Sequence, residues 1–513
     1  MARAHQLNVL ATLDRARTQW YHLASAAIAG TGFLAGAYNL FSIVFVGRLI
    51  GRVYYAVEIA APGQLPVDAA FALAGAVFCG TFVGHLAFGW LGDRIGRRRA
   101  YGLTLAFMVV FSVASGLSFG REAKAVLATL CFFRFWLGVG VGGSYPLGAA
   151  ITAEYANKRT RGAFVAAVHA MQGVGVLLGS TVALGVSSVV AEADYVWRAI
   201  LVAGAAPAAL GFYLHTKMPE TARYTALVAR DPKRAAADMS LVLRTRIEEE
   251  ELDVSVGRVN DEWGLFSVQF MKSHGLHLLA ISSTTFLLSA TFYSQNILQK
   301  DLFGKFGWVS HSPAASMGAL EETFRLARAQ ALIALFGAVP GYILSVAFID
   351  VLGRRRLQLA GFVVMTLSML ALATLYDHWA SHAAGFVALY NVAFFFAQAG
   401  PNTTTFVAPA ELFPARLRCT CHGIAMAAGR AGAVLGSFGF LPKGVDNNNT
   451  SGIGSRNELF VLAGTNFLGM LMSLFVPETR GASLEVLSKE AIYESVDMGR
   501  VEEMDHYFIS HGD

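Results

Sequence analysis

Apolar residues run along this chain in long blocks, separated by short charged interruptions. The blocks over 23–47, 66–91, 100–119, 124–153, 162–187, 197–216, 276–299, 328–349, 356–376, 383–410, 418–442 and 457–476 each predict a helix, because about 20 consecutive apolar residues are needed to cross the hydrocarbon core of a bilayer. Several blocks are rich in Gly and Ala, small residues that let membrane helices approach closely. A charged stretch with Glu248 to Glu251 and many Arg separates the sixth block from the seventh. The pattern divides the chain into an N-terminal segment 1–22, a six-helix half 23–216, a linker 217–275, a second six-helix half 276–476 and a tail 477–513. The expected fold is an all-α membrane protein of twelve transmembrane helices. Arg3, Arg15 and Arg17 lie among polar residues at the start, and the apolar run behind them is too long for a cleavable signal.

Charge sets the expected orientation. Lys and Arg are dense after the second, fourth, eighth and tenth blocks, at Arg94 to Arg99, Lys158 to Arg161, Arg354 to Arg356, and Arg416 with Arg418. All four loops fall on one side, which the positive-inside bias makes cytosolic together with both termini. On the opposite side, Asn448-Asn449-Thr450 and Asn449-Thr450-Ser451 are overlapping glycosylation triplets.

Composition removes other classes. With 55% hydrophobic and 15% charged residues over 513 positions, the apolar surplus belongs in lipid rather than in one soluble core. The net charge of +5 is concentrated in short loops and indicates topology, not nucleic-acid binding. Cys79, Cys131, Cys419 and Cys421 lie in or beside apolar runs without a C-x-x-C spacing, so neither disulfide nor metal is expected. Gly138-Val139-Gly140-Val141-Gly142-Gly143 superficially suggests a dinucleotide fingerprint, but no strand precedes it and no acidic partner follows. Close helix packing is the better use of these glycines, and His85 and His422 read as core histidines. No nucleophile, metal cluster or carboxylate pair converges in the spans, so neither an enzyme nor a cofactor is expected.

The halves repeat one another. Asp93-Arg94-Ile95-Gly96-Arg97-Arg98 recurs as Asp350-Val351-Leu352-Gly353-Arg354-Arg355, an offset of 350 − 93 = 257, and Glu154 and Arg161 recur in the same register as Glu411 and Arg418. Pro219-Glu220-Thr221 recurs as Pro477-Glu478-Thr479. Parallel repeats imply a pseudo-two-fold axis along the membrane normal, a solute site near the midplane and access that alternates by rocking. Asp93 with Arg97 and Asp350 with Arg354 form an expected latch on the basic face, with Glu154 and Arg161, and Glu411 and Arg418, as its partners.

Over almost the whole chain the residues resemble the phosphate:proton symporters of plants and fungi within the major facilitator superfamily, most closely the plant high-affinity type. The resemblance is carried by Gln19-Trp20-Tyr21-His22, Tyr145-Pro146-Leu147, Glu154-Tyr155-Ala156-Asn157-Lys158 with Thr160-Arg161-Gly162, Ala170-Met171-Gln172-Gly173, Tyr293-Ser294-Gln295-Asn296, and Phe413 to Arg418 before Thr420-Cys421-His422-Gly423. It implies the major facilitator fold and a plasma-membrane phosphate transporter. It further implies a midplane phosphate site with Tyr145, Gln172, Tyr293 and Asn402. Arg430 replaces the usual Lys, and its fork suits phosphate oxygens; an intramembrane Arg is read as functional.

The chain departs from this family at its acidic positions. Gly36 and Asn39 stand where the first span usually has two Asp, Ser144 where the fourth has Asp, and Thr285 and Ser289 where the seventh has Trp and Asp. None of these titrates near neutrality, whereas symport needs a group that loads and releases a proton. His169, three residues before Gln172 and on about the same helix face, is the candidate proton carrier. Three expectations follow: phosphate symport by family, proton-independent movement of phosphate or another oxyanion, and a sensor that binds phosphate without moving it.

Overall fold

The computed structural model describes residues 10, 14, 18–55, 65–120, 122–231, 234–235, 237–238, 240, 264–305, 318–379, 382–439 and 455–489. Its long helices are α1 (Trp20–Tyr54), α2 (Val67–Ile95), α3 (Arg97–Gly116), α4 (Ala123–Tyr155), α5 (Arg161–Val189), α6 (Ala193–Thr216), α7 (Leu276–Lys305), α8 (Ala319–Leu352), α9 (Arg354–Thr374), α10 (Ala383–Ala399 and Pro401–Leu412), α11 (Arg418–Gly439) and α12 (Ser455–Ser473). Ten helices among the described residues are long and apolar enough to cross a membrane. The exceptions are α11 and α12, whose sequences carry Arg418, His422 and Arg430, and Arg456, Glu458 and Asn466. These charged and polar side chains take both helices below that threshold.

α8 begins nine residues before its apolar block does. Gly318 precedes its first turn, where Glu321 and Glu322 favour the positive end of the helix dipole. Both glycosylation triplets and Glu248 to Glu251 lie outside the described residues.

The halves meet along two symmetry-related seams, α2 against α11 and α5 against α8. Glycine makes the first seam close: a methyl group on Gly89 would approach the Cys419 carbonyl oxygen to 2.7 Å, and one on Gly423 would run into the His85 carbonyl. Two more glycines, Gly96 and Gly353, turn the repeated loops with φ of 101° and 93°, a conformation that disfavours a side chain.

The recurrence of Glu220 and Glu478 also acquires a role. Glu220 accepts from the Arg98 amide at 3.2 Å, while Glu478 accepts from the Arg354 and Arg355 amides at 2.9 and 3.1 Å. Each carboxylate caps the first turn of α3 or α9 from the end of its own half. Burial raises the Glu220 carboxyl above its ordinary value, partly offset by these amide bonds.

Candidate functional site

Elements of both halves enclose a cavity of about 60 Å³. Tyr145 reaches it from α4, His169 and Gln172 from α5, Thr285, Ser289 and Tyr293 from α7, Asn402 from α10 and Arg430 from α11. All five residues expected to hold the anion therefore line one chamber, with the proton candidate beside them. Of the five substituted positions, Thr285 and Ser289 stand in its wall; Gly36, Asn39 and Ser144 do not.

Arg430 is the one cation among the lining residues, and no carboxylate accompanies it. Its guanidinium donates to the Tyr293 hydroxyl at 2.8 Å and lies 5.4 Å from the Tyr145 ring centroid. These neutral contacts lower the cost of burying the charge without neutralising it. Its Nε also approaches Nε2 of His85 on α2 at 3.4 Å, so the presumed core histidine touches the central cation across the seam. The sequence offered no signal for that contact beyond the polarity of His85 itself.

Asn402 donates to the Tyr342 hydroxyl at 3.1 Å and to Gln398 at 2.5 Å, which fixes its amide through residues not singled out in the sequence. The His169 ring stacks on Phe406 with centroids 4.7 Å apart and stands edge-on to Tyr342. Asn402 interacts with it, although neither ring nitrogen makes a hydrogen bond of good geometry.

Asn39 belongs to a different polar site. It donates to the Ala35 and Gly204 carbonyls, and its Oδ1 accepts from Ser112 at 2.9 Å. Its own carbonyl takes a 2.8 Å bond from Arg134, a buried cation with no ion-pair partner among the described residues. Ser144 is likewise buried and returns its hydroxyl to the Val141 carbonyl at 2.8 Å.

The latch pairs Asp93 with Arg97 at 3.3 Å and Asp350 with Arg354 at 2.8 Å, and its partner carboxylates reach further. Glu154 accepts from Arg97 at 3.0 Å and from Arg418 of the other half at 2.8 Å, not from Arg161. Glu411 pairs with Arg354 at 2.7 Å, not with Arg418. Sequence register brought the residues to the same face but could not reveal that Arg418 crosses the seam. Arg161 instead holds Asp14 at 2.8 Å and the Ala482 carbonyl at 3.1 Å.

The two aspartates do match across the axis. Asp93 accepts from the Cys419 and Thr420 amides opening α11, at 3.2 and 2.8 Å; Asp350 accepts from the Ala163 amide opening α5, at 2.8 Å. Each half thus places a carboxylate on a helix N-terminus of the other. At the opposite end, Arg52 of α1 pairs with Glu322 of α8 at 2.5 Å. Inter-half ion pairs therefore occur on both sides of the chamber.

Two repeated six-helix units around a midline chamber, tied at both ends, define a membrane transporter of the major facilitator type. The sugar (and other) transporter family model matches residues 26–302 and 327–491. The chain is 58% identical over 517 residues to the probable inorganic phosphate transporter 1-3 of Oryza sativa subsp. japonica, spanning 95% of this chain and 98% of that protein. It is 54% identical to the low affinity inorganic phosphate transporter 1 of Petunia hybrida, spanning 95% and 96%. The solved structure of the proton:xylose symporter XylE bound to 6-bromo-6-deoxy-D-glucose matches with a TM-score of 0.71 at 21% identity, covering 92% of this chain and 99% of that one. The chain belongs to the sugar (and other) transporter family and, within it, groups with the inorganic phosphate transporters.

Proposed function

We propose that this protein moves inorganic phosphate across the plasma membrane by alternating access, with the basic face and both termini in the cytosol. The observation that carries this reading is a buried chamber lined by one guanidinium and no carboxylate. Such a chamber favours an anion, which would supply the counter-charge that Arg430 lacks. Its volume of about 60 Å³ holds roughly four or five water-sized groups, comparable with the five heavy atoms of phosphate. Tyr145, Gln172, Tyr293 and Asn402 offer hydrogen bonds around that anion, and Arg430 offers a bidentate fork.

Halves 23–216 and 276–476 would rock about the chamber while the 217–275 linker joins them. Opening to the cytosol requires release of Asp93 from α11 and of Glu154 from Arg418. Opening to the outside requires release of Arg52 from Glu322. Proton symport is the family's mode, with His169 a candidate carrier. Thr285 and Ser289 in the chamber wall favour a second reading, phosphate movement without protons.

Radiolabelled phosphate uptake into proteoliposomes, with and without an imposed proton gradient, tests both. Saturable uptake is expected, with Arg430→Gln weakening phosphate affinity about 10- to 100-fold through loss of charged hydrogen bonds. Absence of uptake, or uptake indifferent to Arg430→Gln, contradicts the transport reading. Uptake independent of the gradient selects the second one.

A further inference from the structure

We propose that His85 and Arg430 form a proton-linked anion clamp, in which a protonated His85 and Arg430 hold the anion between them. The inference rests on the phosphate reading of the same chamber. It gives the proton a place in a site whose wall contains no carboxylate.

The argument starts from donor chemistry. Every guanidinium N–H is a donor, so the 3.4 Å approach of Arg430 Nε to His85 Nε2 requires a lone pair on Nε2. The ring proton then resides on Nδ1, and the imidazole is neutral. At 3.4 Å the contact is long for a hydrogen bond and is readily exchanged for a better partner.

Protonating His85 makes Nε2 a second donor facing the first, with like charges on both sides. That arrangement is unfavourable while the two groups touch, and favourable once an acceptor with negative charge lies between them. The proton comes from the aqueous side to which the chamber is open; it binds Nε2, and an anion oxygen replaces the ring nitrogen as the acceptor for Arg430. Proton and anion therefore stabilise one another's binding. Loss of the proton on the other side restores the direct contact and expels the anion.

The surroundings add no competing negative charge. The titratable or charged groups facing His85 are Tyr145 from α4, whose ring is 5.4 Å away, and Arg430 and His422 from α11. Tyr293 of α7 bonds the same guanidinium. Among the described residues, no carboxylate faces the histidine to take the proton in its place. The contact also spans the α2 and α11 seam beside Gly423, so its making and breaking acts where the halves must separate.

The test is calorimetric titration of inorganic phosphate into the full-length chain in nanodiscs, in two buffers of different ionisation enthalpy. Wild type is expected to take up protons on binding, in excess of any exchanged by phosphate itself. Its affinity is expected to rise as pH falls, by up to about tenfold per pH unit where one proton is fully linked. His85→Gln retains an acceptor for Arg430 but cannot titrate, so its excess proton uptake and excess pH dependence should both vanish; His85→Asn provides a second non-titrating replacement.

Wild-type binding without excess proton uptake overturns the proposal without recourse to a variant. Equal uptake in wild type and His85→Gln, or loss in His169→Phe alone, also overturns it. Failure of wild type to bind phosphate at all removes the reading of the chamber and this inference with it. Binding and proton count are separate signals in the same titration, so the two failures are distinguishable.

Discussion

The two repeated latches share a design but differ in reach. On the α11 side, Glu154 joins Arg97 of its own half to Arg418 of the other, at 3.0 and 2.8 Å. On the α5 side, Glu411 closes on Arg354 at 2.7 Å, and the inter-half bond there is donated by the Ala163 amide to Asp350 at 2.8 Å. Among the described residues, one latch therefore bridges the halves through both a buried ion pair, Glu154 with Arg418, and a capped helix, the other through its cap. A duplicated sequence has been put to unequal use, which makes the α2 and α11 seam the stronger hold on the basic face.

The largest expected effect separates these roles. Glu154→Gln leaves Arg97 and Arg418 buried without their shared carboxylate, a loss on the order of 3–5 kcal/mol. It should lower the thermal midpoint and favour opening of this face. Cys419, buried at the seam, reports the second change: a membrane-impermeant thiol reagent applied from the basic side should label it faster in Glu154→Gln. Glu411→Gln should lose stability of similar order without accelerating that labelling. Equal labelling in the two variants would erase the proposed division of labour.

A smaller effect is expected from the glycines. In Gly423→Ala the added methyl meets the backbone carbonyl of His85, which cannot swing aside, whereas in Gly162→Ala it meets the Arg354 guanidinium and Asp350 carboxylate. Overpacking at the first site should cost about 1–3 kcal/mol of closure, read as faster Cys419 labelling with little change in unfolding temperature. Gly162→Ala should fall below it because side chains can shift. On the opposite face, Glu322→Gln should matter less still, about 1 kcal/mol or below and reduced by salt, because its pair with Arg52 remains partly solvated. Paired distance measurements across that face with and without added salt provide the readout.

Much of this was legible in the chain and some was not. Apolar blocks marked the helices and repetition marked two halves with a site between them, because both are periodic features of the sequence itself; which helices form the seams came only from the packing. The five residues expected to hold the anion line one chamber because each lies on a different helix of a fold whose centre is shared. Pairing within the latch was not legible: Arg161 and Arg418 occupy equivalent positions, and only three-dimensional packing decides that Arg418 reaches Glu154 while Arg161 turns to Asp14. His85 was missed for a related reason, since a lone histidine on an apolar helix says nothing of the cation packed against it. Asn39, grouped in the sequence with the substituted acidic positions, lies outside the chamber and beside Arg134.

The smallest effect concerns the end of the second half, where Arg223 binds Glu485 at 2.9 Å and Asp14 at 2.7 Å. Burial alone would raise the Glu485 carboxyl, but Arg223 more than offsets this and holds it below the ordinary 4.5. Because the folded-state value is depressed, the contact contributes stability that is fully present above about 4.5 and is lost as pH falls through the lowered value. A spin label at Lys489, just beyond the short Leu484–Leu487 helix, should therefore be immobile near neutral pH and gain mobility on acidification below the ordinary glutamate range. In Glu485→Gln the mobility should be high at every pH and the acid transition absent. This links the tail to a residue following the first half, whose guanidinium also donates to the Glu154 carbonyl at 2.7 Å. Persistence of the transition in Glu485→Gln would mean that acid acts elsewhere, with the α11 latch and its buried Glu154 the next place to look.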